Sequence, residues 1–170
     1  MIKISVKRLE SEPNLKLEFY DSISRIPLNI KLRNYEMPPS VIKFDNFERG
    51  NFVEFRFDSH VGDLFEITVV SINNNAVIFT DSYRINILNS QNNGFFIDDL
   101  KAKGVRKKLL TKIARTSTSS VCFAFGDDND GLDYYKASGG LYIGIDSDNN
   151  LKSFYLEGLS QQNIKDIFGE

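Results

Sequence analysis

The chain has 170 residues, 41% hydrophobic and 26% charged, with a formal net charge of −2. These values fit one globular domain, residues 1–170, and exclude a wholly disordered chain. A single histidine, His60, and a single cysteine, Cys122, leave little material for nucleophilic, redox or soft-metal chemistry and exclude an internal disulfide.

Period-two alternation dominates. Ile2, Ile4 and Val6 alternate with Lys3, Ser5 and Lys7; Leu15, Leu17 and Phe19 with Lys16, Glu18 and Tyr20; Leu28, Ile30 and Leu32 with Asn29, Lys31 and Arg33; Val53, Phe55 and Phe57 with Glu54, Arg56 and Asp58. Each set predicts a strand with one buried and one wet face, the pattern of an antiparallel sheet. Turn signals separate them at residues 11–14, at Pro38 and Pro39, and at residues 45–51. Residues 59–62 lead into a strand over Leu64–Ile72, and the asparagines 73–75 turn the chain into Ala76–Phe79. Residues 83–88 give a further strand.

A helix is predicted from Leu100 to Arg115, capped by Asp98 or Asp99, with Leu100, Val105, Leu109, Leu110 and Ile113 as its apolar stripe. Beyond it the pattern predicts a strand (Val121–Phe125), an acidic loop (Gly126–Gly140) and a hairpin (Leu141–Asp146 with Leu151–Leu156). A short helix from Gln161 to Phe168, capped by Ser160, closes the chain. The expected fold is α+β: a large, twisted, mainly antiparallel sheet with one or two packed helices, filled by many of the 14 phenylalanines. The longest strongly apolar stretch, residues 121–125, is far short of the roughly 20 residues of a spanning helix. The opening residues alternate rather than forming the apolar core of a signal peptide, so a cytoplasmic location is expected.

Charge is unevenly spread. Residues 121–170 carry nine acids against three bases, whereas residues 1–120 carry 18 bases against 14 acids. The acids crowd in Asp127, Asp128, Asp130 and Asp133, followed by Tyr134 and Tyr135. Three readings stay open for this stretch: a solvated loop, a docking patch for a basic partner, or a calcium site. Tyrosine combines apolar area with a polar tip and is enriched at interfaces, which suits docking. An EF-hand does not fit, because Ala137 falls where the bidentate Glu belongs. A second near-match, Asp146, Asp148, Asn150 and Glu157, has Leu151 at the glycine position and strand-like flanks. The segment 101–115 holds seven bases and no acid (Lys101, Lys103, Arg106, Lys107, Lys108, Lys112, Arg115), as a nucleic-acid-binding helix would. Against that stand the absence of overall basicity and of a glycine- and aromatic-rich RNA-binding motif. Asp58, His60 and Asp63 form the one carboxylate–imidazole grouping, most simply a surface loop. A carboxylate or metal-dependent hydrolase built on the acidic loop is a further alternative.

The small size, the scarcity of His and Cys, and the richness in Asn, Ile, Lys and Phe resemble the immunity proteins of bacterial contact-dependent growth inhibition and related toxin systems. The run Phe52–Asp58 followed by Leu64–Ile72 suits their sheet-centred folds. The resemblance implies a non-enzymatic binder without cofactor or metal, whose partner is a cognate toxin domain, often a nuclease. On that reading Asp127, Asp128, Asp130 and Asp133 steer the encounter, Tyr134 and Tyr135 anchor it, and an exposed strand edge offers another route through main-chain bonds.

Overall fold

The computed structural model describes residues 2–19, 26–46, 50–81, 84–97, 106–108, 111–116, 119–126 and 130–170. In chain order these form β1 (Ile4–Arg8), β2 (Lys16–Glu18), β3 (Leu28–Lys31), β4 (Ser40–Asn46), β5 (Asn51–Phe57), β6 (Leu64–Ser71), β7 (Val77–Thr80), β8 (Asn86–Asn89), β9 (Asn93–Ile97), β10 (Arg106–Lys108), β11 (Thr111–Thr116), β12 (Val121–Phe125), β13 (Asp133–Ser138), β14 (Leu141–Ile145), β15 (Leu151–Leu156) and the helix α1 (Gln161–Phe168).

The α+β expectation holds in outline, but the molecule is dominated by strands, and they build two large sheets rather than one. A six-stranded sheet runs β10-β4-β5-β6-β3-β2 and a seven-stranded sheet β7-β11-β12-β15-β14-β13-β8. Both are antiparallel inside. Among the described residues, parallel pairs occur at outer strands: β10 on β4, β7 on β11 and β8 on β13. The two-stranded ribbon β1–β9 joins the sheets. Its first strand bonds to the β14–β15 turn (Ile4 N–H to Asn149 O, 2.8 Å), and its second bonds to the loop before β6 (Ile97 N–H to Gly62 O, 3.0 Å).

Alternation delivers the core. In β5, Val53, Phe55 and Phe57 turn inward while Phe52, Glu54 and Arg56 stay partly exposed. From the facing sheet come Phe123, Phe125 and Phe154. Phe44 stacks on Phe125 (4.3 Å between ring centroids), and Phe55 meets Phe125 and Phe154 edge-on at 5.7 and 6.1 Å. These offset and edge-to-face arrangements are the ones aromatic quadrupoles favour. The same buried cluster takes in Ile2, Ile4 and Phe95 from the ribbon, and Ile164, Ile167 and Phe168 from α1. The helix is fixed by a reciprocal cap between Ser160 and Asn163 and ends at Gly169 in the left-handed region (φ 68°).

The outer face of the six-stranded sheet carries a polar ladder. Lys43 and Arg56 both reach Glu54, Arg56 bonds Glu66 at 2.9 Å, Thr68 lies between Glu66 and Asn29, and Glu18 joins Asn29 to Lys31.

The seven-stranded sheet is curled. Its two outermost strands, β7 and β8, are consecutive in the chain with residues 81–85 between them. Laid flat, six inter-strand spacings would separate them by about 29 Å. The chain from Thr80 to Asn86 reaches at most about 21 Å. Ile85 packs with Cys122, Leu132, Tyr134, Tyr142 and Tyr155 on the face away from the phenylalanines, so that face is the concave one. Small residues line it: Ala114, Cys122, Ala124, Gly144 and Ser153. Gly144 makes room for the Tyr134 ring, which crosses β14 and brings its hydroxyl 3.0 Å from Ser153 Oγ, next to Cys122 Sγ.

The predicted helix over residues 100–115 is overturned. Arg106–Lys108 is a strand paired with β4, and Thr111–Thr116 is a strand between β12 and β7. Its proposed caps Asp98 and Asp99, and Leu100, Val105, Leu109 and Leu110, lie outside the described residues. The β-branched Thr111, Ile113 and Thr116 favour the extended chain, and Ile113 reaches the core equally well in either period. The expected acidic loop is shorter than predicted, since Asp133–Ser138 belongs to β13.

A Cβ on residue 144 would sit 2.9 Å from both the Tyr134 ring and Ser153 Cβ. Gly144→Ala is expected to cost about 1–3 kcal/mol of stability in urea unfolding. Tyr134→Phe, which keeps the ring and loses only the hydroxyl bond, is expected to cost about 1 kcal/mol.

Candidate functional site

The sequence-predicted site residues separate in the fold. Asp127 and Asp128 lie outside the described residues. Asp130 is exposed in the turn before β13, next to Gly131, whose φ is 69°. Asp133 opens β13 and accepts a bond from Asn86 Nδ2 of β8 at 2.8 Å. Successive strand residues face opposite ways, so the two tyrosines part. Tyr134 is 4% exposed inside the concave face. A side chain buried there presents nothing to a docking protein, so the structure removes Tyr134 from the surface. Tyr135 points to the other face, half-buried against the phenylalanine core.

Strand β8 brings together what does remain accessible. Among the described residues it forms one edge of the seven-stranded sheet, paired on one side with β13. Ile87 and Leu88 are 44% and 52% exposed. They are consecutive, and the pairing with β13 shifts by one residue between Ile87 and Asn89, so Leu88 bulges from the ladder beside Ile87. An exposed apolar edge strand invites pairing with another chain. Beside it lies Asp133, with the exposed Asp130 three residues earlier in the turn before β13. The opposite edge, β7, exposes Ile78 and Phe79, but Phe79 there carries the Arg115 guanidinium at 4.3 Å, and Arg115 also stacks on Phe168 and pairs with Glu170.

Two concavities open near the ribbon. One, of about 480 Å³, has an apolar floor from Leu32, Leu64 and Phe95 and a rim of mixed charge including Lys16, Arg33 and Asp63. The other, of about 530 Å³, is a more polar groove between β1 and the end of β8, lined by Val6, Arg8, Asn89, Gln91, Tyr135 and Asn149. Sequence reasoning missed both, because each is formed by elements distant in the chain.

The Asp58–His60–Asp63 grouping is a turn rather than an acid–base pair. Asp58 Oδ1 accepts the main-chain N–H groups of His60 and Val61 at 2.8 and 3.2 Å and the Tyr35 hydroxyl at 3.2 Å. Arg33 bridges Asp58 and Asp63. Burial pushes the Asp58 carboxyl up, but the N–H groups of His60 and Val61, with Arg33 and Tyr35, outweigh it and hold the pKa below the ordinary value. At Asp63 burial prevails over Arg33, and the pKa lies above the ordinary value.

The Asp146 near-match to a calcium loop is a hairpin turn closed on itself. The Asp146 carboxylate accepts the N–H groups of Asp148 and Asn150 at 3.0 and 2.8 Å and the Asn150 side-chain amide, with Lys152 Nζ at 3.8 Å. Among the described residues no three His, Cys, Asp or Glu side chains converge as metal ligands. Also among the described residues, no helix is long and apolar enough to cross a membrane.

No protein-family model matches this chain, and no curated protein matches it.

Burial raises the Asp146 pKa, yet the Asn150 and Asp148 donors and Lys152 together leave it lowered. A lowered folded pKa gives stability that is complete above the unfolded value, about 3.9, and that fades as pH falls through the folded pKa. Asp146→Ala is therefore expected to lose about 1–2 kcal/mol at pH 7. In thermal melts, the gap to wild type should narrow once the pH drops below the unfolded value.

Proposed function

We propose that the chain is a non-catalytic binding protein of the toxin-immunity kind, which acts in the cytoplasm by covering a cognate toxin domain. The observation that carries this reading is the β8 edge: Ile87 and Leu88 exposed on a strand that ends its sheet among the described residues, beside Asp133. Acidic groups raise the rate of encounter with a basic partner such as a nuclease cleft. Desolvated apolar side chains at the centre of a contact then slow its dissociation. Main-chain groups along the edge add register. The acid-rich distribution of residues 121–170 supports the same partner charge.

The test is protection. Cells expressing the toxic domain encoded next to this chain should grow when the wild-type chain is co-expressed and die when it carries Ile87→Lys with Leu88→Lys. Failure of the wild-type chain to protect overturns the reading, and so does full protection by the double variant.

A second measurement isolates steering. Charge reversal at Asp127, Asp128 and Asp130 is expected to slow association with that domain roughly tenfold at low salt, with the difference shrinking as salt rises and the melting temperature almost unchanged. Identical on-rates would remove the acids from the mechanism.

A further inference from the structure

The groove beside β1 has a property that side chains alone do not reveal. In an antiparallel ladder, alternate residues exchange both main-chain bonds with the partner strand, and the residues between them point outward. Ile4 sends its N–H away from β9 to Asn149 O, and its partner Ile97 sends its N–H away from β1 to Gly62 O. The pair Ile4 and Ile97 is therefore an outward one. With no register shift along the ribbon, Val6 opposite Phe95 and Arg8 opposite Asn93 are outward pairs as well. The Leu9 N–H, which bonds inward to Asn92 O, confirms the parity.

Among the described residues, the outer edge of β1 is thus bonded over its first part and carries no main-chain partner over its second. Ile2 O and Ile4 N–H are taken by Leu151 and Asn149, across an antiparallel bridge between Lys3 and Asn150. Along the same line, the main-chain groups of Val6 and Arg8 face the groove of about 530 Å³. Its far wall offers the neutral side chains of Asn89, Gln91 and Asn149, which can both donate to and accept from a peptide backbone. Among the described residues Arg8 is the one charged residue lining it, and the exposed Lys3 and Lys7 add positive charge nearby.

We infer that this groove is a strand-accepting site: an extended peptide segment of a partner protein pairs antiparallel with Val6 and Arg8 of β1 and sets an acidic side chain against Arg8. The occupant continues the line of main-chain bonds that Asn149–Leu151 begins. Backbone pairing supplies the affinity, and Arg8 the preference for acid. This inference is independent of what the β8 edge binds.

The test uses the purified full chain and a short fluorescein-labelled peptide of alternating valine and glutamate, followed by fluorescence anisotropy. A valine–lysine peptide and a valine–glutamate peptide N-methylated on alternate amides are the comparisons. Saturable binding is expected for the valine–glutamate peptide, with both comparison peptides about tenfold weaker or worse. Val6→Pro removes one outward N–H while leaving the bonds to β9 intact, since proline is tolerated where the edge faces out; it should weaken binding by about tenfold. Because Val6 also packs on the core, Arg8→Glu serves as the second variant and should reverse the preference toward the lysine peptide. Ile78→Ser, at an exposed position on β7, should leave the affinity unchanged. Absence of saturable binding by wild type overturns the site, as does equal binding of the N-methylated peptide. A preference unmoved by Arg8→Glu would overturn the charge assignment.

Discussion

The contact on which this architecture depends is the interleaving of phenylalanine rings between its two sheets. Phe44 and Phe55 reach from one layer, Phe125 and Phe154 from the other, and each lies in a stacked or edge-on contact with a ring across the gap. A tryptophan-free chain has few other ways to fill a wide inter-sheet space, and each buried ring removes roughly 150–250 Å² from water. The ribbon β1–β9 and the helix α1 close the same cluster at its margins.

The second layer has a constraint of its own. Its strands carry the phenylalanines on one side, and on the concave side small residues such as Ala114, Cys122 and Gly144 alternate across the strands with the rings of Tyr134, Tyr142 and Tyr155. Tyr134 lying over Gly144 fills the space left by the missing side chain, and its hydroxyl is satisfied by Ser153. Lone Cys122 belongs to this packed polar group. Its burial, together with its place among Tyr134, Tyr155 and Ser153, accounts for it as a structural thiol.

Local signals carried much of the fold. The alternation of Asn51–Phe57, the turn between β14 and β15, and the Ser160 cap of α1 are each written within a few consecutive residues, and the structure has all three. The segment 106–116 was misread because Ile113 satisfies both a helical and an extended stripe; pairing partners far away in sequence decide between them. In β13, two adjacent tyrosines looked like one surface anchor. A strand flanked by two buried layers sends them to opposite sides. Residues 83–88 read as a strand, but nothing local says that β8 ends a sheet. An edge is defined by the neighbour it lacks, and a groove by elements joined only in three dimensions.

The link between Thr80 and Asn86 acts as a ruler for the curled sheet. Its reach is an upper limit on how far apart β7 and β8 can lie: each residue deleted lowers that limit by about 3.5 Å, and each residue inserted raises it by as much. Shortening the link therefore demands a tighter roll, whereas lengthening it leaves the curvature to the packing of Tyr134 over Gly144.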